Sequence, residues 1–156
     1  MKDEKIDFIF SSDLARAADT AKEIAKFHPE AQIMFVEQLR ERDIGEFTGK
    51  KKSDFGWGKE DFKITFLDND KAETMEQLFN RAENFIKKTI AKHYKNTVLF
   101  VGHNGINKAL LAAITGKTHK NIDDIENQRN TSLNIIEIDK NRNRKIHLYN
   151  NTEHLK

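Results

Sequence analysis

The sequence predicts an α/β fold in which a mostly parallel sheet carries helices on both faces. Short apolar runs alternate along the chain with longer stretches whose apolar residues recur at helical spacing. The run at 97–101 is apolar at nearly every position, as is typical of buried parallel strands. One proline and seven glycines in 156 residues leave little room for linkers, so we expect a single domain over residues 1–156.

The first half of the chain begins with a strand, a helix and a second strand. We predict the strand at 6–10, a helix from 13 to 27 that Pro29 ends, and the second strand at 33–36. Ser11 and Ser12 precede the helix and are expected to cap it. Residues 37–72 show no sustained period and contain four glycines, which indicates loops and short irregular pieces.

The second half continues the alternation. A long amphipathic helix is predicted from Thr74 to about Tyr94, and the apolar strand at 97–101 follows it. A glycine-containing break then opens a helix from 106 to 115, which Gly116 ends. Two late strands, at 133–138 and 145–149, flank a polar turn.

Composition excludes several classes of function. The chain has no cysteine, which rules out disulfides, thiolate zinc sites, a cysteine nucleophile and iron–sulfur clusters. No apolar run approaches the ~20 residues of a membrane span, and the start has no signal-peptide core, so a cytoplasmic protein without a membrane partner is expected. The net charge of +2 does not favour nucleic acid, and the basic turn at 141–145 has no aromatic platform for bases.

Two strand ends carry side chains suited to a phosphate. Ligands of open α/β sheets bind at the carboxyl ends of strands, and Arg16 and His103 each follow such an end. Arginine is scarce, since 20 of the 27 basic residues are lysine, so each arginine is a better indicator of anion recognition. A guanidinium bonds two oxygens, an imidazole a third, and free N–H groups at a helix start favour an anion. Each residue alone also has a simpler interpretation: Arg16 as a solvated helix residue, and His103 as a helix-capping residue that hydrogen-bonds a carbonyl.

Taken in order, five segments resemble the histidine phosphatase superfamily, which contains the cofactor-dependent phosphoglycerate mutases. Residues 11–21 are similar to its Ser-x-Leu-x-Arg-Ala-x-x-Thr-Ala helix, and residues 39–49 to its Leu-x-Glu and Gly-x-(Trp/Leu)-x-Gly motifs. Residues 73–75, with Arg81 further on, resemble the start of its Glu-Ser helix. The turn within 98–110 resembles the one carrying its second histidine, and residues from 130 onward resemble its closing strands. The resemblance covers nearly the whole chain and implies the three-layer phosphoglycerate mutase-like fold.

The resemblance also implies a reaction and a role for each residue. The reaction is phosphoryl transfer through a phosphohistidine, with no metal or cofactor, on a small phosphorylated substrate or with inorganic phosphate bound. Arg16 and His103 would hold the phosphoryl oxygens and stabilise the transition state, and the Asn104 backbone would add one donor. Glu41 would be the general acid and then the general base. Ser11 would contact the anion or cap its helix, and we favour the cap.

One part of the family pattern has no counterpart. The family's nucleophile lies in an Arg-His-Gly turn, whereas none of the six histidines here follows an arginine or precedes a glycine. Met1 falls where the family's second strand would begin, so we expect the first strand and helix to be missing and the chain to be inactive alone. The alternative is a non-catalytic phosphate- or phosphoester-binding pseudo-phosphatase that closes its sheet with a second chain, for example as a homodimer.

Substrate choice is expected to reside in residues 50–70. This segment contains the aromatic residues Phe55, Trp57, Phe62 and Phe66, which could equally form a small packing cluster. The lysines at 50–52 could attract an acidic substrate, although a solvated lysine run is the plainer interpretation. The shortness of the segment favours a small phosphatase over a mutase.

Overall fold

A computed structural model of the chain describes residues 4–51, 53 and 70–156. The aromatic residues at 55, 57, 62 and 66, on which the expectation about substrate choice depends, lie outside these described residues, as does the lysine at 52.

A three-stranded parallel sheet forms the centre of the fold. Its middle strand is β1 (Phe8–Ser11), which pairs on one side with β2 (Gln32–Phe35) and on the other with β3 (Val98–Val101). A separate antiparallel hairpin consists of β4 (Leu133–Ile138) and β5 (Arg144–Asn151). The parallel alignment brings the carboxyl ends of β1 and β3 to the same edge, with Ser11 opposite Val101.

Three helices of the described chain cover the two faces of this sheet. Helix α1 (Ala15–Ala25) packs against one face, and the longer α2 (Met75–His93) and α3 (Asn104–Ile114) lie against the other. Strand alternation sorts the core residues between the faces. Ile9 and Leu99 point toward α1, whereas Phe10 and Phe100 point toward α2 and α3. The predicted α/β fold with helices on both faces is therefore confirmed.

Helix α2 begins where its sequence provides a reciprocal cap. The Thr74 side chain accepts a hydrogen bond from Gln77 N at 3.2 Å, and the Gln77 side chain accepts one from Thr74 N at 2.8 Å. This capping box satisfies two backbone donors that the helix itself leaves unpaired. Short 3₁₀ turns complete the described secondary structure, at Glu37–Leu39, Gly45–Phe47, His119–Asp124 and Glu153–Leu155.

The predicted serine cap of the first helix is wrong. Leu14 occupies the cap position, no side chain bonds the helix start there, and α1 begins at Ala15 instead of residue 13. The Ser11 hydroxyl donates to the Ser12 carbonyl at 2.9 Å, and both serines are fully buried. These hydroxyls are therefore part of the strand end and not of the helix cap.

The two sheets do not join within the described residues. There β3 pairs only with β1, and β4 pairs only with β5. An open groove of about 2720 Å³ is lined by residues of both strands, including Leu99 and Val101 of β3 and Leu133 and Ile136 of β4. This groove also reaches the carboxyl end of β3, where the candidate site lies.

Candidate functional site

Arg16 and His103 come from neighbouring strand ends, as the sequence predicts. Arg16 lies in the first turn of α1, which follows β1, and His103 is the residue before α3, which follows β3. Both line the groove. The guanidinium of Arg16 is exposed and makes no hydrogen bond or ion pair with the described residues, whereas Arg40 and Arg81 each bind a carboxylate. Arg16 is therefore an uncommitted cation beside the groove.

His103 is held from behind by a buried hydroxyl. Its Nε2 lies 2.9 Å from the Oγ of Ser12, which is fully buried, and His103 as a whole residue is 9% exposed. Burial lowers the pKa of His103 below its ordinary value of 6.5, the positive charge of Arg16 lowers it further, and Glu41 opposes both effects. Arg16 and Glu41 therefore both lie close enough to His103 to act on it electrostatically.

Glu41 occupies the start of α3. Its Oε2 accepts from Gly105 N at 3.0 Å, and its Oε1 accepts from Ile106 N at 3.1 Å and from Arg42 N at 3.0 Å. A carboxylate at a helix start gains from the helix dipole as well as from these bonds. The expectation that the helix start offers free N–H groups to an anion is wrong for Gly105 and Ile106, because Glu41 takes both.

The glycines beside His103 make room for side chains of the protein itself. A Cβ at Gly105 would lie 2.5 Å from Glu41 Oε1, and one at Gly102 would lie 2.7 Å from Asn107 Oδ1. Both distances are shorter than real side chains tolerate. The close approach that these glycines indicate is therefore made by Glu41 and Asn107.

Asn104 links the start of α3 to the hairpin. Its Oδ1 accepts from Gln128 N at 2.8 Å, and its Nδ2 donates to Asn127 Oδ1 at 3.4 Å. Gln128 Oε1 accepts from Asn134 Nδ2 at 2.8 Å, and Asn134 Oδ1 accepts from Asn150 N at 2.8 Å. The Asn104 side chain is thus committed to structure, whereas its backbone N–H has no partner among the described residues and remains available as a donor.

A partly buried ion pair supports the segment that carries Glu41. Arg81 of α2 binds both carboxylate oxygens of Glu73, at 2.8 and 2.7 Å, and also donates to the carbonyls of Gln38 and Arg40, at 2.7 and 3.0 Å. Arg42, itself buried, donates from Nε to the Glu73 carbonyl at 2.7 Å. The peptide preceding Glu41 is therefore fixed to α2.

The structure brings the predicted residues together with several that the sequence did not reveal. Arg16, Glu41, His103 and Asn104 all line the groove. The hydroxyl of Ser12, the two helix amides bound by Glu41 and the amide side chains around Asn104 were not predicted. In the part of the chain that is described, no cluster of three metal-ligating side chains occurs, and no helix is both long and apolar enough to cross a lipid bilayer.

Comparison with protein families gives one match that spans nearly the whole chain. The family model described as "Histidine phosphatase superfamily (branch 1)" matches residues 1–152. The match includes every predicted site residue.

Curated relatives of the chain have the names of phosphatases and of a phosphoglycerate mutase-like protein. The chain is 30% identical over 123 residues to "Metal-independent phosphoserine phosphatase" of Arabidopsis thaliana, a match covering 73% of this chain and 51% of the relative. It is 25% identical over 144 residues to "Phosphoglycerate mutase-like protein 4" of the same plant, covering 88% and 61%. The chain thus spans between half and two-thirds of these relatives.

Among solved structures, the fold is similar to that of "Bacillus stearothermophilus YhfR". The superposition has a TM-score of 0.80 at 22% identity, and it covers 99% of this chain and 78% of the other. At this identity the likeness establishes the fold alone, which is the predicted phosphoglycerate mutase-like architecture.

Proposed function

Because the chain belongs to the histidine phosphatase superfamily, branch 1, we propose that its site binds the phosphoryl group of a small phosphate monoester between Arg16 and His103. One observation carries the proposal: an arginine with no partner among the described residues and a buried imidazole face one groove at adjacent strand ends. A guanidinium donates two parallel hydrogen bonds to phosphoryl oxygens, and the imidazole and the Asn104 N–H each supply one more.

In the complete reaction, a histidine nitrogen attacks phosphorus and the ester P–O bond breaks. Glu41 gives a proton to the leaving oxygen and then takes one from the water that cleaves the P–N bond. Arg16 and His103 stabilise the charge on the oxygens that lie across the line of attack. To carry a proton, the Glu41 carboxylate must exchange its bonds to Gly105 N and Ile106 N for contacts with the substrate.

We propose that this polypeptide alone hydrolyses phosphate monoesters negligibly. None of its histidines lies in the Arg-His-Gly context of the family's nucleophile, and removing a nucleophile typically lowers catalysis by several orders of magnitude. The named relatives favour a small phosphorylated metabolite, such as a phosphoserine-like monoester, over a macromolecule. A single domain over residues 1–156, action in the cytoplasm and chemistry without a metal belong to the same proposal.

A phosphate-binding pseudo-phosphatase that closes its sheet with a second chain is the second candidate. Within the described residues β3 and β4 each keep one unpaired edge, and residues of both strands line the groove, so the groove offers edges to which a further strand could add. A second copy of the chain pairing there would give a homodimer without restoring a nucleophile. Size-exclusion chromatography with light scattering tests this pairing, because a homodimer has twice the 18.1 kDa mass of the single chain.

Binding of phosphate is the direct test of the site. Inorganic phosphate is titrated into the protein while the imidazole signals of His103 are followed by NMR. We expect saturable shifts that Arg16→Gln weakens about 10-fold or more, since a charge-assisted bidentate contact is lost. The matched control is Lys26→Gln, which removes one exposed charge from the other end of α1, where Lys26 bonds Glu23.

Turnover is measured in parallel with p-nitrophenyl phosphate and phosphoserine. We expect no release of phosphate above that of the His103→Ala variant. Robust turnover that His103→Ala abolishes would contradict the proposal of inactivity, and a phosphorylated His103 trapped during turnover would then identify it as the nucleophile. Absence of any phosphate-dependent shift, or equal weakening by Lys26→Gln, would contradict the assignment of the binding site.

A further inference from the structure

Among the described residues, the hydroxyl of Ser12 has one hydrogen-bond acceptor within reach, His103 Nε2. Ser12 is fully buried, so water does not contact it. Leu14 N donates into its Oγ at 3.2 Å, and that bond uses a lone pair of the oxygen and not its proton. The remaining contact of the hydroxyl in the described structure is His103 Nε2, at 2.9 Å. Because a buried hydroxyl proton without an acceptor is costly, it must point at this nitrogen.

We propose that Ser12 is a positioning residue that fixes the tautomer of His103, so that Nε2 is the acceptor and Nδ1 carries the proton. Neutral imidazole has one donor nitrogen and one acceptor nitrogen. The acceptor role imposed on Nε2 therefore makes Nδ1 a donor. The role of this tautomer rests on the proposed function, because a phosphoryl oxygen bound in the groove accepts a hydrogen bond from an N–H that points into it.

The second ring nitrogen is the one that reaches the groove. His103 lines the groove and Ser12 does not, so the ring is held on its inner side and open on the other. No hydrogen bond involves His103 Nδ1 within the described chain, and no buried side-chain nitrogen or oxygen there lacks a partner. Nδ1 is therefore accessible to solvent or to a ligand.

This arrangement gives the site a donor that does not depend on protonation of the ring. The charged groups facing His103 are Arg16 from α1 and Glu41 from the segment after β2. With the opposite tautomer, the Nδ1 lone pair would face the anion and repel it. Ser12 prevents this at neutral pH, when the imidazole is uncharged.

The tautomer is read directly from nitrogen chemical shifts of the imidazole in the wild-type protein. Two-bond and three-bond ¹H–¹⁵N correlations at pH 7.5, without phosphate, distinguish a protonated Nδ1 from a protonated Nε2. We expect the Nδ1–H form to predominate. In Ser12→Ala we expect a shift toward the Nε2–H form and a loss of phosphate affinity of about 2- to 10-fold, the effect of one hydrogen bond.

Ser11→Ala is the matched control. Ser11 is adjacent and equally buried, but its hydroxyl donates to a backbone carbonyl, so this variant is expected to retain the Nδ1–H tautomer. A predominant Nε2–H form in the wild-type protein would overturn the inference, whether or not Ser12→Ala folds. An Nδ1–H form in a protein that fails to bind phosphate would support the tautomer and contradict the proposed function instead.

Discussion

Protonation of His103 opposes folding. Burial of the ring disfavours the imidazolium ion, Arg16 repels it, and the attraction of Glu41 compensates only in part, so the pKa in the folded chain lies below 6.5. An unfolded chain then binds more protons than the folded one wherever the pH lies between the two pKa values. Stability contributed by His103 is complete above pH 6.5 and is lost as the pH falls through the lowered pKa.

We therefore expect the free energy of unfolding to decrease between pH 7.5 and pH 5, and the decrease to be smaller in His103→Gln. Hydrogen bonds hold the pKa values of Asp7, Asp13 and Asp139 below their usual range, so these carboxylates stay charged in this window. Urea denaturation at several pH values measures the slope. The control is His154→Gln, which removes an exposed imidazole; a slope in His103→Gln equal to that of the wild type would contradict the prediction.

Gly105 leaves room for the carboxylate of Glu41. Adding a Cβ forces Glu41 Oε1 away from a position only 2.5 Å distant, so Gly105→Ala is expected to destabilise the protein by about 1–3 kcal/mol. In a Glu41→Ala background the same change should stabilise by up to about 1 kcal/mol, because alanine favours a helix over glycine. A double-mutant cycle by urea denaturation gives both values, and equal effects in the two backgrounds would exclude the contact as the cause.

At this scale the sequence identified residues but not their partners. Arg16, Glu41 and His103 were indicated by their motifs. The hydrogen bond that Gly105 N donates to Glu41 joins residues 64 positions apart, and the one between Ser12 and His103 joins residues 91 positions apart. No local sequence pattern predicts such distant pairs.

Among the elements, the segment between β2 and Glu41 depends on α2 for its shape. Arg81 donates to two carbonyls of this segment while its guanidinium pairs with Glu73, and the ion pair is partly buried. A side chain that satisfies several acceptors at once leaves all of them unpaired when it is removed. The position of Glu41 thus depends on a residue 40 positions further along the chain.

Arg81→Ala is expected to destabilise the protein by about 1–3 kcal/mol, a value reduced from that of a fully buried pair because the groups are partly exposed. The matched control is Lys87→Ala on the same helix, whose exposed pair with Glu83 contributes at most about 0.5 kcal/mol. Chemical denaturation gives both values. The NMR amide signals of Gly105 and Ile106 should shift in Arg81→Ala and not in Lys87→Ala. Unchanged signals in Arg81→Ala would show that the bonds of Arg81 do not position Glu41.

Each regular element was predicted within a few residues, because apolar periodicity and helix-stop residues are local signals. The late strand at 133–138 was predicted with its observed limits. The start of α1 was predicted at residue 13, two residues before its observed start at Ala15. Ser12 has the residue type of a helix cap, but its hydroxyl bonds His103, which follows the neighbouring strand β3.

For the molecule as a whole, the unjoined sheets determine which backbone groups face solvent. In a parallel ladder, successive residues direct their N–H and C=O groups to alternate sides. The carbonyls of Thr97 and Val101 accept from β1, at Phe8 N and Ser12 N, so the amides of Val98 and Phe100 point toward the groove.

We expect the amides of Val98 and Phe100 to exchange with deuterium faster than those of Leu99 and Val101, with β1 the slowest of all because it is paired on both sides. Residue-resolved NMR exchange at pH 7 measures this. Equal protection along β3 would mean that another strand occupies the groove in solution, and the mass from light scattering would then identify a second copy.

The layered architecture could be predicted because each strand is apolar on the faces that the helices cover. That β3 and β4 do not pair could be predicted only from the family resemblance. Which strands pair at their edges depends on which strands meet in space, and the residues of a single strand do not determine that.

The bond between Glu41 and Gly105 N has a chemical consequence for the dipeptide Asn104–Gly105. Asparagine followed by glycine deamidates quickly in unfolded chains, because the glycine nitrogen attacks the asparagine side-chain carbonyl carbon, ammonia leaves, and water opens the resulting succinimide to isoaspartate or aspartate. Here that nitrogen is held by the carboxylate within a helix, and the asparagine amide is held by Asn127 and Gln128. Isoaspartate at position 104 would therefore accumulate in a stored sample in molecules that have spent time unfolded or in which Glu41 has released Gly105 N.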